Sequence, residues 1–194
     1  MRIAEIKRKT QETDILLKLN LDGTGKVSLQ TGIPFLEHML TLFTVHGLFD
    51  LEIKAKGDLE IDAHHTTEDI GICLGYALKE ALGNKKGIYR YGQAAVPMDE
   101  ALAEVFLDLS GRPFFYCQGE KWQGQVGSFD LELIPEFLRA MANAAEMNLH
   151  VHLLYGENKH HCAEAIFKAL GQALRQAVSI DPRRTDIPSS KGAL

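Results

Sequence analysis

The chain has 194 residues, of which 45% are hydrophobic and 24% charged, as in an ordinary globular protein large enough to bury a core. A formal net charge of −5 disfavours nucleic acid as the main partner, since phosphate backbones attract clustered Lys and Arg. Three cysteines are too few for a disulfide framework, no apolar run approaches the roughly 18 residues that span a bilayer, and the N-terminus lacks the apolar centre of a signal peptide. We therefore expect a cytoplasmic protein with no membrane or nucleic-acid partner.

The first half of the chain is predicted to run strands, helix, strand, helix. Asp22–Gly25 has the composition of a hairpin turn, Pro34 suits the first turn of a helix, and Asp62 suits the N-cap of another. Alternating or helical apolar spacing predicts strands at 2–9, 13–21, 26–30 and 50–56, a helix from residue 34, and a helix over 64–82 that ends at Gly83.

The second half repeats this order. Asp130 is expected to cap a helix that runs to about Met147. The remaining predicted elements are strands at 93–98, 101–109, 113–118 and 149–155, a loop or short strand at 124–127, and a helix over 160–178. The tail after residue 180 has no periodicity.

The sequence His-His-x-x-Glu occurs twice, at His64–Glu68 and at His160–Glu164, and each copy opens a helical run. The two runs align without a gap at a separation of 96 residues, so that Gly75 matches Gly171. This register indicates an internal duplication with a metal-type cluster in each half.

The duplication predicts an α+β fold of two-layer half-domains, each a mostly antiparallel four-stranded sheet with helices on one face. The halves span about 1–92 and 93–180 of a single domain, and a functional C-terminal tail occupies 181–194. A pseudo-two-fold relation between the halves is expected to bring the two motif helices side by side.

The spacing within each motif favours two metal ions. On a helix, residues i and i+4 share a face, i+3 lies nearby, and i+1 is turned by about 100°. Glu68 can therefore bind an ion beside His64 or His65, but these two rings point in different directions. The same holds for Glu164 with His160 and His161. The simplest arrangement therefore has two ions, with the two histidines of each motif binding different ions. Imidazole and carboxylate without thiolate fit Mn, Fe, Co, Ni or Zn, so the spacing leaves the metal open.

A catalytic metal also needs partners for the remote end of a substrate. Arg90 and Arg112 lie in glycine-flanked turns, and Ser189, Ser190 and Lys191 lie in the tail. Guanidinium, hydroxyl and ammonium donors together suit a phosphate. Each of these residues, taken alone, is equally well explained as a solvated surface residue.

In combination, these features resemble the imidazoleglycerol-phosphate dehydratase family over essentially the whole chain. The matching stretches are Arg8–Thr13, Phe35–Leu40, Asp62–Asp69, Met98–Ala101, Asp108–Pro113, Asn158–Glu164 and Pro188–Gly192. The resemblance implies the monofunctional form, a hydro-lyase of histidine biosynthesis with two Mn²⁺ ions per active site. It would remove water from imidazolyl glycerol phosphate to give imidazole acetol phosphate, through a metal-bound imidazolate and a diazafulvene-like intermediate.

The resemblance also implies roles for individual residues. Glu12, Glu68 and Glu164 would act in catalysis, with Glu12 handling the proton. The eighth metal ligand is either His150 or Glu136, which lies where the duplication places the partner of His38. The other metal ligands would be His38, His64, His65, Glu68, His160, His161 and Glu164. The substrate contacts would be Glu12, His38, His46, His64, Glu68, Arg90, Arg112, His160, Lys168, Ser189 and Lys191.

Members of this family form 24-subunit shells built from trimers, with active sites shared between chains, so the resemblance implies a large homo-oligomer that binds a small phosphorylated imidazole. Two other classes compete with this interpretation. One is a non-catalytic metal-binding or storage module, which has no use for Arg90, Arg112 and the Ser-Ser-Lys tail. The other is a dinuclear metallohydrolase, which would release inorganic phosphate.

Overall fold

The computed structural model describes residues 2–118 and 122–194. Both halves of the chain have the predicted order of strands and helices. The first half contains β1 (Ile3–Lys9), β2 (Thr13–Asn20), β3 (Val27–Gln30), α1 (Pro34–Gly47), β4 (Asp50–Gly57) and α2 (His64–Leu82). The second half contains β5 (Tyr91–Met98), β6 (Ala101–Asp108), β7 (Phe114–Gln118), β8 (Gln125–Val126), β9 (Phe129–Asp130), α3 (Leu133–Ala145), β10 (Asn148–Tyr155) and α4 (Lys159–Val178).

Each half forms a four-stranded sheet, with the order β1-β2-β4-β3 in the first and β5-β6-β10-β7 in the second. In each sheet the first two pairings are antiparallel and the last is parallel. The short strands β8 and β9 form a separate hairpin. The repeated strand order confirms the predicted α+β fold of duplicated, mostly antiparallel half-domains.

The helices cover one face of each sheet. Along β10, Leu149, Val151 and Leu153 are buried, whereas His150 and His152 between them are partly exposed. This period of two is the expected signature of a strand with one buried face. Helix α2 packs on β1 and β2, and α4 packs on β5 and β6. One continuous core of buried apolar residues includes side chains from both halves.

The expectation that the two motif helices lie side by side is wrong. Within the described residues, α2 packs mainly against α3, and α4 packs against α1. Glycines at the matched positions permit these close contacts. A Cβ at Gly75 would lie 2.5 Å from the carbonyl oxygen of Met141 on α3, and one at Gly171 would overlap the carbonyl oxygen of Phe43 on α1. Each motif helix thus pairs with the non-motif helix of the other half.

The structure also corrects the start of the helix in the second half. Asp130 belongs to β9, and α3 begins three residues later without a side-chain cap, because the segment before it forms the β8–β9 hairpin. The predicted N-cap of α2 is wrong by one residue, since the N-cap is Ala63, which makes no side-chain cap. Asp62 lies just before it, and its Oδ1 accepts the backbone N–H of His64 at 2.7 Å.

The C-terminal tail is held against the segment between α2 and β5. The backbone N–H of Gly87 donates to the carbonyl of Asp186 at 2.9 Å, and the N–H of Asp181 donates to the carbonyl of Gly87 at 2.8 Å. Arg90 also donates to the carbonyl of Pro188 at 2.8 Å. The tail therefore has fixed partners even though its sequence shows no periodicity. Among the described helices, none is both long and apolar enough to cross a membrane.

Candidate metal and active site

Three potential metal ligands meet where α1 packs against α4. The Nε2 atoms of His38 and His160 lie 2.9 and 3.0 Å from the same oxygen, Oε1 of Glu164. One ligand atom from each residue lies within 4.8 Å of the others. In the described parts of the chain, this is the one group in which three such side chains converge. The pairing of α4 with α1 creates it, because the motif alone brings only His160 to Glu164.

Glu164 is held as an anion at the centre of this group. Burial by itself raises the pKa of its carboxyl, but hydrogen bonds from Lys168, His38 and His160 outweigh it and lower the pKa from 4.5 to about 2. The closest of these partners is Nζ of Lys168, 2.7 Å from Oε2. An ionised, largely buried carboxylate beside two imidazoles has the donor set that borderline divalent cations prefer.

His46 lies on the last turn of α1, the helix that packs against α4. Burial lowers the pKa of this imidazole, and the positive charges of Lys168 and Arg175 lower it further. Its ring is therefore held in the neutral form at neutral pH. A neutral imidazole can both donate and accept a hydrogen bond, which suits the substrate contact expected for it.

His65 has one ring nitrogen engaged and the other accessible. Its Nδ1 lies 2.9 Å from Oδ2 of Asp58, and this hydrogen bond raises the pKa of the ring. A carboxylate on Nδ1 fixes the ring and leaves Nε2 to bind a metal, as in many metal sites. Oε1 of Glu12, in the turn between β1 and β2, lies 3.8 Å from that Nε2.

His161 repeats this arrangement in the second half. Its Nδ1 lies 2.7 Å from Oε2 of Glu100, and Oδ2 of Asp99 lies 3.9 Å from Nε2. The hydrogen bond to Glu100 raises the pKa of His161. The same bond and the backbone N–H of Asn158 lower the pKa of Glu100 to about 2. Both halves thus place a carboxylate on the Nδ1 of the second motif histidine.

The two histidines of each motif point apart, as helical spacing predicts. Their ring planes meet at 83° for His64 and His65, and at 84° for His160 and His161. The side chain of Glu68 is half-buried and forms no hydrogen bond or ion pair with any residue in 2–118 or 122–194. Within one chain, the candidate ligands of the first motif therefore lie apart, whereas His160 and Glu164 of the second motif belong to the converged group.

The two candidates for the eighth ligand lie in different surroundings. Glu136 is in the first turn of α3, 98 residues after His38 on α1, and its Oε1 accepts a hydrogen bond from Nη1 of Arg139 at 2.5 Å. His150 is on the face of its sheet opposite the helices, with its ring 5.4 Å from that of Phe114 and 5.9 Å from that of Tyr116. Neither joins the converged group, and His150 faces away from both motif helices.

Arg90 holds the tail in place. Its Nε and Nη2 atoms bind the two oxygens of Asp108 at 2.6 and 3.0 Å, and its Nη1 binds the carbonyl of Pro188. Arg112 and Lys191 remain exposed, and the Oγ of Ser189 accepts the backbone N–H of Lys191 at 3.2 Å. Arg90 thereby fixes the start of the Pro-Ser-Ser-Lys segment that carries the predicted phosphate contacts.

No role was predicted for the carboxylates that orient the second histidine of each motif. Asp58 and Glu100 lie at strand ends, and each reaches its histidine only after the strand and the motif helix have packed together. A carboxylate in a turn is common, so composition offers no signal for this role. Glu100 did belong to a stretch that resembles the family, Met98–Ala101, but without an assigned function.

The comparisons with known proteins agree over the full length of the chain. The family model described as imidazoleglycerol-phosphate dehydratase matches residues 31–174. An imidazoleglycerol-phosphate dehydratase from Geobacillus kaustophilus is 62% identical over 193 residues, covering 100% of this chain and 99% of the relative. One from Bacillus subtilis is 60% identical over 194 residues, covering 100% of both chains.

Two solved structures are also similar to this chain. A crystal structure of imidazoleglycerol-phosphate dehydratase from Staphylococcus aureus has a TM-score of 0.84 and 41% identity, covering 92% of this chain and 99% of its own. The enzyme from Pyrococcus furiosus, solved in complex with (S)-C348, has a TM-score of 0.82 and 38% identity, covering 97% and 100%. With the duplicated fold and the paired histidine motifs, these matches establish that the chain belongs to the imidazoleglycerol-phosphate dehydratase family of hydro-lyases.

Proposed function

We propose that this chain catalyses the Mn²⁺-dependent conversion of imidazoleglycerol phosphate to imidazole acetol phosphate and water, in histidine biosynthesis. The observation that carries the proposal, beyond family membership, is the convergence of His38, His160 and the ionised Glu164. Such a donor set serves a divalent ion and is not needed for the packing of α1 on α4, which the apolar residues and Gly171 already provide.

The residues fit a two-metal site. Imidazole and carboxylate donors suit Mn²⁺, and thiols are absent from the converged group. The Nε2 atoms of His65 and His161 are oriented by carboxylates on Nδ1, an arrangement typical of metal-binding histidines. The proposed ligands are His38, His64, His65, Glu68, His160, His161 and Glu164, with Glu136 preferred over His150 as the eighth.

When bound, two Mn²⁺ ions would supply the positive charge that favours the imidazolate form of the substrate. The chain's own residues would manage the proton. Glu12 has its carboxylate 3.8 Å from Nε2 of His65, in a turn exposed to solvent, so it lies beside a proposed ligand and is open to a substrate. We assign it to the proton on the carbon next to the one that loses its hydroxyl. Glu68 and Glu164 would act as metal ligands near the reaction.

The phosphate of the substrate would bind to exposed cationic groups at the tail. Arg112 and Lys191 are exposed, and the tail returns to the Arg112 turn, since a Cβ at Gly111 would lie 2.9 Å from the carbonyl carbon of Leu194. Ser189 adds a hydroxyl, and Arg90 would act by holding the tail. His46 and Lys168, next to Glu164, would contact the substrate from the metal side.

The proposal includes a homo-oligomer whose chains share active sites. Within one chain the proposed ligands form separate clusters, and only one cluster joins three ligand atoms among the described residues. Ligands from a neighbouring chain would complete each pair of ions, and the 24-subunit shell of trimers implied by the resemblance would provide these neighbours. Sedimentation of the Mn²⁺-loaded protein as a single chain would contradict this part of the proposal.

The test of the activity is to supply Mn²⁺ and imidazoleglycerol phosphate and to measure the enolisable ketone product. A storage module would fill its metal sites and form no ketone. A metallohydrolase would release inorganic phosphate instead. Absence of ketone above background, with the metal sites shown to be filled, would overturn the proposed function.

A further inference from the structure

A buried carboxylate outside the proposed ligand set joins α2 to the first sheet. Asp69 is only 6% exposed. Its Oδ1 accepts a hydrogen bond from Nε of Arg8 on β1 at 2.9 Å, and Nη2 of Arg8 forms an ion pair with the same oxygen at 2.9 Å. Its Oδ2 accepts a hydrogen bond from the hydroxyl of Thr13, at the start of β2, at 2.5 Å. Both oxygens are thus used, and all three residues belong to stretches that match the family.

The duplicated half shows that the fold does not need this carboxylate. The two motif helices align at a separation of 96 residues, which matches Asp69 with Ala165. Ala165 is fully buried on α4 in the corresponding position. Burying a charged group costs free energy unless its hydrogen-bond and ion-pair partners compensate for the lost hydration. Because one half of the chain folds without this carboxylate, we expect Asp69 to have a role other than packing.

The hydrogen bonds lead from Asp69 to the turn that carries Glu12. The Thr13 hydroxyl that donates to Asp69 lies 3.3 Å from the hydroxyl oxygen of Thr10. That same oxygen of Thr10 accepts the backbone N–H groups of Glu12 and Thr13, at 3.1 and 3.0 Å. The carbonyl of Glu12 in turn accepts the N–H of Asp58 at 3.1 Å. The backbone of Glu12 is therefore held on both sides.

This turn is also where the two halves differ. Three residues connect β1 to β2, but only two, Asp99 and Glu100, connect β5 to β6. In the half with the shorter turn, Ala165 takes the place of the buried carboxylate. An exposed three-residue turn would otherwise be free to move, and a displacement of about 1 Å in a reacting group can cost roughly a hundredfold in rate. The buried Asp69 is thus found in the half of the chain that has the longer turn.

We propose that Asp69 is a positioning residue, which fixes the Glu12 carboxylate beside His65 through Thr13 and Thr10. The inference rests on the proposed function, in which Glu12 handles the proton. Arg8 orients the Asp69 carboxylate through the contacts to Oδ1, and Asp69 itself touches no substrate. This buried carboxylate is present in the half of the chain that supplies Glu12, the proposed proton-handling group, and is absent from the other half.

The test compares Mn²⁺-loaded full-length variants with wild type. Asp69→Asn and Thr13→Val should lower kcat by about 10- to 100-fold, because the Glu12 turn loses its anchor. KM and Mn²⁺ content should stay near wild type. Thr13→Ser keeps the hydroxyl and is the matched control, with kcat near wild type. In a Glu12→Gln background, measured in single turnovers with enzyme in excess, adding Asp69→Asn should cause little further loss.

A purely structural role for Asp69 predicts a different pattern. In that case Asp69→Asn would lower kcat by the same factor with or without Glu12→Gln, and the inference would be overturned. Amide hydrogen exchange gives a readout that does not depend on catalysis. The N–H groups of Glu12 and Thr13 should exchange faster in Thr13→Val than in Thr13→Ser, and equal exchange would also overturn the inference. A wild type that forms no ketone would instead count against the proposed function.

Discussion

Glu164→Gln in the metal-free protein tests whether the fold stabilises an ionised carboxylate in the converged group. The side chain of Glu164 is 10% exposed and contacts His38, His160 and Lys168. Burial opposes ionisation, but these partners lower the pKa from 4.5 to about 2. One pKa unit corresponds to about 1.4 kcal/mol. Ionisation of Glu164 therefore stabilises the folded state by about 3 kcal/mol relative to the protonated form.

The folded-state pKa lies below the unfolded value, so this stabilisation is complete above pH 4.5 and is lost as the pH falls towards 2. Urea unfolding of the metal-free wild type should lose about 3 kcal/mol more than Glu164→Gln across that window. The variant should also be less stable at neutral pH, because Lys168 loses its anionic partner. Glu157→Gln, at an exposed position just before α4, is the control and should keep the wild-type profile. Parallel pH profiles for wild type and Glu164→Gln would show that the fold does not stabilise the ionised carboxylate.

Three further changes probe the site and the packing. Glu100→Gln should weaken Mn²⁺ binding by about 10- to 100-fold in calorimetric titrations, because His161, a proposed metal ligand, loses its anionic partner; unchanged affinity would contradict that role. Elemental analysis should show that Glu68→Gln loses an ion, whereas Lys191→Ala should keep its metal and raise KM; wild-type behaviour of both would contradict the assigned roles. Gly75→Ala should destabilise the fold by about 1–3 kcal/mol in urea, since its Cβ would lie 2.5 Å from a carbonyl oxygen of α3. Stabilisation, as helix propensity alone predicts, would argue against close packing there.

Most of the fold could be predicted from the sequence, because strands and helices have characteristic periodic patterns of apolar residues. Strand alternation and helical spacing located the main elements, and the 96-residue register between Gly75 and Gly171 exposed the duplication. The partners of the motif helices could not be predicted in the same way. A glycine on a helix indicates a close approach but does not say to which neighbour, and here each glycine faces the non-motif helix of the other half.

The candidate site was predictable where the chemistry is concentrated in a motif. His160 and Glu164 share a helix face, and the resemblance added His38 from another helix, which the structure brings to the same carboxylate. The orienting contacts were not predictable, because they depend on tertiary packing. Glu100 reaches His161 across 61 residues of sequence, and nothing in its own turn distinguishes it from a solvated carboxylate.

The two motif clusters are proposed to bind metal for a dehydration. This role is tested by depleting the protein of metal, titrating it with Mn²⁺ in the presence of imidazoleglycerol phosphate, and measuring ketone and inorganic phosphate in the same samples. We predict that ketone formation rises from background to a plateau at two Mn²⁺ per active site, with no phosphate released. Ketone formation that is independent of Mn²⁺, or phosphate released in place of ketone, would contradict a metal-dependent dehydration.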